Sequence, residues 1–170
     1  MRTISTRQLA TTGFMAALVM VGTLIIQIPT PAKGYIHLGD SLVYLCGIIL
    51  GPVMGCFAAA VGSALADLVS GYAIYAPATF LIKGLDALFT GYCYYTITKK
   101  NPSLLRTVLG SIVGIVLGGS VMVGGYLGYE TFLYGFPTAF LSMIPNITQA
   151  AGGGLLALPL ILTLKKLIRH

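Results

Sequence analysis

The residues able to do chemistry in this chain are few, and most stand inside long apolar stretches. The chain has four acidic residues, Asp40, Asp67, Asp86 and Glu130, and Lys83 lies between the second and the third. An ionisable side chain at membrane depth costs free energy unless it is paired or faces a cavity. Carboxylates and an ammonium group in such positions suit ion pairing or contact with the polar atoms of a small ligand.

Lys83 and Asp86 allow two interpretations. Three positions apart on a helix, they share a face and could form an intrahelical ion pair. Alternatively, Lys83 points into a cavity and offers its ammonium group to a ligand oxygen or ring nitrogen. Asn146 and Gln149 pose the same question, because their shared face could bind a ligand or hydrogen-bond a neighbouring helix.

A second group of candidate residues lies toward one end of the predicted helices. It contains His37, Tyr72, Tyr75, Tyr126 and Glu130. The two tyrosines at 72 and 75 lie in a loop flanked by glycine and proline, where a flat ring can stack on an aromatic ligand and supply a hydroxyl. Tyrosines also gather in belts at membrane interfaces without any ligand, so both interpretations stay open.

Asp40 and Asp67 fall near the same end, and each also has a structural interpretation. Asp40 could cap the start of a helix, and Asp67 could be a surface residue at a helix end. The convergence of acids and tyrosines at one end favours a binding site there.

An intramembrane enzyme is the competing class. An aspartyl protease of this kind would look like Gly-x-Gly-Asp on one helix and Tyr-Asp on another, whereas this chain has His37-Leu-Gly-Asp40 and no Tyr-Asp pair. A Ser–His nucleophile is equally weak, because His37 is predicted in a loop and His170 is the last residue. A purely structural membrane subunit is a third class. We predict that the chain is not an enzyme.

The cysteines give no support for a metal site or a disulfide framework. Cys46, Cys56 and Cys93 are odd in number, and each lies within an apolar segment. The chain also contains no Walker motif or glycine-rich phosphate loop. We therefore expect no metal and no cofactor, and any ATP-driven step requires partner subunits.

The elements that carry these residues are predicted to be membrane helices. Of 170 residues, 56% are hydrophobic and 8% are charged, and the mean hydropathy is +0.91. A soluble domain carries roughly 25% charged residues. The composition therefore predicts one all-α membrane domain over residues 1–170.

Spans of about 20 apolar residues predict six transmembrane helices. They are Leu9–Ile28, two short helices within Leu38–Ser70 that turn at Gly51-Pro52, Pro77–Thr98, Arg106–Tyr129, and a segment from about Pro145 to Leu164. A hydrophobic loop or interfacial helix is predicted at Phe132–Met143.

Basic residues predict the orientation, because cytoplasmic loops are enriched in Lys and Arg. With six crossings, the basic clusters fall on one side, and they are Arg2 and Arg7, then Lys99, Lys100 and Arg106, and finally Lys165, Lys166 and Arg169. Both termini are therefore predicted to be cytoplasmic, and Lys33 lies in an outer loop. The net charge of +6 follows from this orientation and gives no reason to expect a nucleic-acid partner.

Small residues on the first helix predict a close helix contact. Gly13 and Ala17 are four positions apart, and Ala10 extends the same face. Another helix could approach closely there. The contact could be with a partner subunit or within this protein.

Four segments resemble the substrate-binding S component of an energy-coupling factor (ECF) vitamin transporter. They are GYIHLGDSLVYL (Gly34 to Leu45), GPVMG (Gly51 to Gly55), GSALADL (Gly62 to Leu68) and GYAIYAPATFLIKGL (Gly71 to Leu85). The likeness is to the riboflavin-type branch, whose members include proteins for vitamin B6 compounds and for the hydroxymethylpyrimidine precursor of thiamine. It covers the first four helices.

The resemblance implies a six-helix bundle in a bacterial plasma membrane, which captures a vitamin at its outer face beneath a lid. The lid here is the loop Pro29 to His37. It also implies that Ala10, Gly13 and Ala17 contact a transmembrane coupling subunit, which sits on two cytoplasmic ATPases. The S component is thought to topple in the membrane to release its vitamin.

The regions that bind substrate in this family imply a set of site residues in this chain. They are His37, Asp40, Tyr72, Tyr75, Lys83, Tyr126, Glu130, Asn146 and Gln149. Donors and acceptors beside tyrosine rings suit a small hydroxylated heteroaromatic ligand. A vitamin B6 vitamer such as pyridoxine ranks first, hydroxymethylpyrimidine second and riboflavin third.

Overall fold

A computed structural model describes residues 5–29, 35–99 and 103–164. Within these ranges it contains six helices and one two-stranded sheet. In chain order the elements are α1 (Thr6–Ile25), β1 (Gln27–Pro29), β2 (Tyr35–His37), α2 (Asp40–Ile49), α3 (Pro52–Val69), α4 (Ala76–Thr98), α5 (Leu104–Tyr134) and α6 (Phe136–Leu164). Several of the predicted orientation charges lie outside the described residues, namely Arg2, Lys33, Lys100, Lys165, Lys166 and Arg169.

Four of the described helices, α1, α3, α5 and α6, are long and apolar enough to cross a membrane. The α2 helix has only 10 residues, and α4 carries Lys83 and Asp86 among its apolar residues. Large apolar side chains stay exposed along the long helices, for example Leu155 at 77% and Ile144 at 72%. Such surfaces are suited to lipid rather than water.

The predicted break at Gly51-Pro52 is confirmed. Gly51 has φ of 87°, a conformation that side-chain-bearing residues rarely adopt. Pro52 then begins α3, where its missing N–H would have had no helical partner. The turn folds α3 back on α2 and allows two short helices in place of one long one.

The predicted loop or interfacial helix at Phe132–Met143 is wrong. The α5 helix continues to Tyr134, and α6 starts at Phe136. Gly135, with φ of 82°, alone makes the turn, because glycine adopts positive φ without a steric penalty. Pro145 therefore lies inside α6 and does not mark its start.

An antiparallel hairpin occupies part of the segment predicted to form the lid. Strands β1 and β2 pair so that Gln27 faces His37 and Ile28 faces Ile36. The α1 helix ends at Ile25, earlier than the hydropathy predicted, because the next residues join this hairpin. The residues between the strands, 30–34, lie outside the described ranges.

Helix α4 lies at the centre of the bundle and packs against α2, α3 and α5. Glycines bring α2 and α4 into backbone contact. A Cβ added to Gly47 would lie 2.2 Å from the Ala87 carbonyl oxygen, and one added to Gly91 would lie 2.4 Å from the Gly47 carbonyl oxygen. Small residues at helix crossings allow this close approach in membranes.

Replacing Gly47 by valine is expected to lower the free energy of unfolding by about 1–3 kcal/mol, the usual range for overpacking. Its side chain would have to displace the α4 backbone. Thermal unfolding in detergent measures the effect. Gly124→Val is the matched control, because a Cβ at Gly124 meets nothing within 4 Å. Equal melting temperatures for the two variants would contradict the prediction.

Candidate functional site

The described residues form a polar cavity at the end of the bundle that carries the hairpin. Its volume is about 30 Å³, far below the roughly 300–1,000 Å³ of typical ligand pockets, so a heteroaromatic ligand would require its walls to move apart. The side chains around it come from the hairpin, from the segment between α3 and α4 and from five of the helices, and they are Thr23, Tyr35, His37, Ser63, Asp67, Tyr72, Tyr75, Thr79, Tyr126, Glu130, Asn146 and Gln149.

The structure brings together most of the residues that the resemblance implied. Those that line the cavity are His37, Tyr72, Tyr75, Tyr126, Glu130, Asn146 and Gln149. Two others, Asp40 and Lys83, do not line it. That any of these residues binds a ligand stays a prediction.

Sequence reasoning did not include five of the lining residues among its site residues, namely Thr23, Tyr35, Ser63, Asp67 and Thr79. Asp67 could have been predicted as a site residue, because it is an acidic residue near the same end as the tyrosines. Tyr35 lies inside a segment that carried the resemblance. The three hydroxyl residues have no sequence signal, since serine and threonine are common in membrane helices as hydrogen-bonding residues.

Aromatic rings form one wall of the cavity. The Tyr35 and Tyr72 ring centroids are 4.7 Å apart with an interplanar angle of 49°. The Tyr35 ring also lies 5.4 Å from the His37 ring. Tilted rings at these distances are a favourable arrangement, and they present flat apolar surface to an aromatic ligand.

Hydroxyl groups and carboxylates form the polar part of the wall. Tyr35 donates to Asp67 Oδ1 at 2.7 Å, and the Thr79 and Tyr126 hydroxyls are 3.0 Å apart. Burial and the neighbouring Asp67 carboxylate raise the pKa of Tyr35, so its phenol keeps the proton that it donates. Tyr75 donates to Glu130 Oε1 over a longer distance of 3.4 Å.

Four polar atoms of the wall have no hydrogen-bond partner in the part of the chain that the structure describes. They are Thr23 Oγ1, Ser63 Oγ, Asp67 Oδ2 and Glu130 Oε2, and each is buried. A buried polar atom without a partner costs about 1–3 kcal/mol. Four such atoms around one cavity would allow a polar ligand to complete the hydrogen bonding there.

Hydrogen bonds connect the hairpin to the helices below it. The His37 backbone N–H donates to Gln149 Oε1 at 2.8 Å, and Gln149 Nε2 donates to Asp40 Oδ2 at 2.9 Å. His37 Nδ1 accepts from the Gly39 N–H at 3.0 Å. Burial lowers the pKa of His37 to about 4, against the opposing effect of Asp40. The imidazole is therefore neutral at pH 7, as an accepting Nδ1 requires.

Lys83 forms its ion pair with Asp40 on α2 and not with Asp86 on its own helix. Both partners are fully buried. The Lys83 ammonium also lies 2.8 Å from Met122 Sδ and 5.7 Å from the centre of the Tyr126 ring. Asp86 accepts a long hydrogen bond from Thr90 at 3.4 Å. The intrahelical pair suggested by the spacing is thus replaced by a pair between helices.

The small face of α1 points away from the bundle. Ala10, Gly13 and Ala17 are exposed, and a Cβ added to Gly13 meets nothing within 4 Å. The opposite face of the helix packs inward through Ala16 and Val19. Among the described residues, the small face is therefore not used for packing within this protein.

Comparison with known proteins gives a family match over almost the whole chain. A family model described as "ECF-type riboflavin transporter, S component" matches residues 3–166. An uncharacterized protein of Pyrococcus woesei is 39% identical over 136 residues, which is 79% of this chain and 86% of that protein. A UPF0397 protein of Streptococcus agalactiae is 31% identical over 173 residues, covering 93% of this chain and 92% of the relative.

A solved structure has the same fold. It is described by the words "Structure and mechanism of the S component of a bacterial ECF transporter", and the match covers 94% of this chain and 96% of that chain. The TM-score is 0.67 with 20% sequence identity. At this identity the likeness concerns the fold alone.

Proposed function

This chain belongs to the ECF-type riboflavin transporter S component family, and we propose that it captures a small hydroxylated heteroaromatic vitamin in the cavity beneath the hairpin. As a member of that family, it is the substrate-binding subunit of an ECF transporter and not an enzyme. It is an integral, multi-pass protein of the cell membrane.

The observation that carries the proposal is the set of unpartnered polar atoms beside tyrosine rings. Asp67 Oδ2, Thr23 Oγ1 and Ser63 Oγ offer hydrogen bonds, and the Tyr35 and Tyr72 rings offer stacking surface. A site built to hydrogen-bond a ligand discriminates strongly against analogues that leave its groups unpaired. This combination favours a ring that carries several polar substituents.

We rank a vitamin B6 vitamer first as the ligand, hydroxymethylpyrimidine second and riboflavin third. The small cavity supports the two single-ring ligands over the larger flavin, because less wall movement is needed to admit them. In the proposed topology six helices cross the membrane, both termini lie in the cytoplasm, and the cavity faces outward.

S components of this family act with a transmembrane coupling subunit and an ATPase module. We propose that this chain docks on such a coupling subunit, which sits on two cytoplasmic ATPases, through the small face Ala10, Gly13 and Ala17. Its exposure supports this use. Release of the vitamin into the cytoplasm then requires ATP hydrolysis by the partners.

A binding titration tests the capture function. The purified protein in detergent is titrated with pyridoxine, pyridoxal, pyridoxamine, hydroxymethylpyrimidine, thiamine and riboflavin. Saturable binding of one compound is expected. If none of the six bound, the proposed function would be overturned in favour of a structural membrane subunit or a different class of ligand.

Removal of a cavity side chain is expected to weaken binding. Asn146→Ala removes a donor and an acceptor, and Tyr72→Ala removes a ring. Each change should raise the dissociation constant about 10-fold, or ~1.4 kcal/mol. Isothermal titration measures this, with Ile144→Ala as control, because Ile144 lies on the same helix as Asn146 and is 72% exposed. A variant that bound as tightly as the control would remove its residue from the site.

A further inference from the structure

The wall of the cavity contains carboxylates but no lysine or arginine side chain among the described residues. Asp67 and Glu130 line it at 4% and 3% exposure, and no lysine or arginine does so within residues 5–29, 35–99 and 103–164. The two acids come from different helices, α3 and α5. The described wall therefore favours positive charge.

Neither of the two nearby basic side chains forms an ion pair with a cavity carboxylate. Lys83 is committed to Asp40 in a fully buried ion pair. His37 lines the cavity, but its Nδ1 accepts a hydrogen bond from Gly39, and burial lowers its pKa to about 4. The Lys83 charge acts on Asp67 through space, but no described cation forms an ion pair with either cavity carboxylate.

Asp67 and Glu130 each have one carboxylate oxygen without a described partner, and Asp67 is the acid held by Tyr35, whose ring packs against Tyr72. Its Oδ1 accepts from Tyr35 at 2.7 Å, while its Oδ2 is buried and has no partner among the described residues. A carboxylate removed from water is strongly disfavoured unless it is paired. A ligand with a positively charged nitrogen at this oxygen would form a charge-assisted hydrogen bond, about twice as strong as a neutral one.

The aromatic wall is suited to the same ligand. Tyr35 connects the two features, because its hydroxyl holds Asp67 and its ring packs against Tyr72 at 4.7 Å. The negative face of a tyrosine ring attracts cations as well as flat aromatic groups. A nitrogen heterocycle with a positive charge therefore satisfies the carboxylate and the rings together.

We propose that the ligand occupies the cavity as an organic cation, with its positively charged nitrogen against Asp67 and its ring against Tyr35 and Tyr72. This inference rests on the proposed capture function and narrows its ligand class. It favours aminated single-ring compounds over their hydroxyl analogues. It disfavours phosphate esters, because their negative charge would meet Asp67 and Glu130.

Matched ligand pairs test the charge directly. Pyridoxamine and pyridoxine share one ring. At one position pyridoxamine carries an aminomethyl cation, whereas pyridoxine carries a hydroxymethyl group. Hydroxymethylpyrimidine and its 4-hydroxy analogue differ at a ring amino group, which carries no charge itself but makes a ring nitrogen basic enough to take up a proton beside a carboxylate. In whichever pair binds, the amino member is expected to bind about 10-fold more tightly at pH 7, or ~1.4 kcal/mol. Pyridoxal phosphate should bind more weakly than pyridoxamine and pyridoxine.

Variants assign the preference to one residue. Asp67→Asn keeps the size of the side chain and removes its charge, so the ratio of the two dissociation constants should fall from about 10 to near 1. Asp86→Asn is the matched control, because Asp86 is also a fully buried acid but lies outside the cavity lining. It should leave the ratio unchanged. A ratio is measured on one protein sample, so it is insensitive to partial loss of folded protein.

The outcomes separate this inference from the proposed function. Equal or tighter binding of the hydroxyl member would overturn the cation preference and leave the capture function intact. An unchanged ratio in Asp67→Asn would overturn the role of Asp67. Failure of all six compounds of the binding titration to bind would overturn the capture function itself.

Discussion

Replacing Lys83 by methionine is expected to lower the free energy of unfolding by about 3–5 kcal/mol, the cost of breaking a buried ion pair from one side. Methionine keeps the length and the apolar stem of the side chain, so the change removes the charge with little loss of volume. Asp40 would remain at 0% exposure, with Gln149 as its described side-chain donor. Thermal or denaturant unfolding in detergent measures the loss.

A double-mutant cycle shows whether the loss comes from the pair. Asp40→Asn alone leaves an unpaired buried ammonium group, whereas Asp40→Asn with Lys83→Met leaves no charge at either position. The double variant should therefore be more stable than the sum of the two single losses predicts. Additive losses would show that Lys83 and Asp40 contribute independently, contrary to the observed contact.

The ion pair also matters for the cavity above it. Asp40 holds Gln149, and Gln149 accepts from the backbone of His37 in the hairpin. Asp40 does not line the cavity, but through these hydrogen bonds it can position Gln149 and His37, which do. Lys83, which the sequence suggested as a direct ligand contact, is placed to act through this chain of hydrogen bonds.

The membrane class and most helix positions could be predicted because apolar length and proline or glycine breaks are local properties of the chain. Gly51-Pro52 illustrates this, since two adjacent residues specify the turn. The junction of α5 and α6 was predicted wrongly because its local signal is weaker. Gly135 is one glycine within a long apolar stretch, and hydropathy cannot distinguish a tight turn there from a loop of several residues.

The site could be predicted only in part, because partners distant in sequence are invisible to spacing rules. Spacing offered Asp86 as the partner of Lys83, three positions away, whereas the structure supplies Asp40 from another helix. Acidic and aromatic residues of the cavity stood out against the apolar background. Thr23 and Ser63 did not, because their role follows from where the helices place them.

Bulky residues on the small face of α1 are expected to stop transport while sparing vitamin binding. In the double variant Gly13→Leu, Ala17→Leu, two side chains would enter a contact proposed to need close helix approach. Two clashes of about 1–3 kcal/mol each should weaken docking on the coupling subunit by about 30-fold or more. Both positions are exposed in this chain, so its own fold should tolerate the change.

Transport is measured as uptake of labelled vitamin by cells or proteoliposomes that contain the complete transporter. Vitamin binding is measured by titration of the isolated subunit. The matched control is Gly124→Leu with Ala151→Leu, which makes the same two substitutions at exposed positions on α5 and α6. If the control lost uptake equally, added bulk in the membrane would be the cause and not the α1 face. Normal uptake by the α1 variant would place the coupling contact on a different surface, because leucines at 13 and 17 cannot occupy the same volume as a closely packed partner helix.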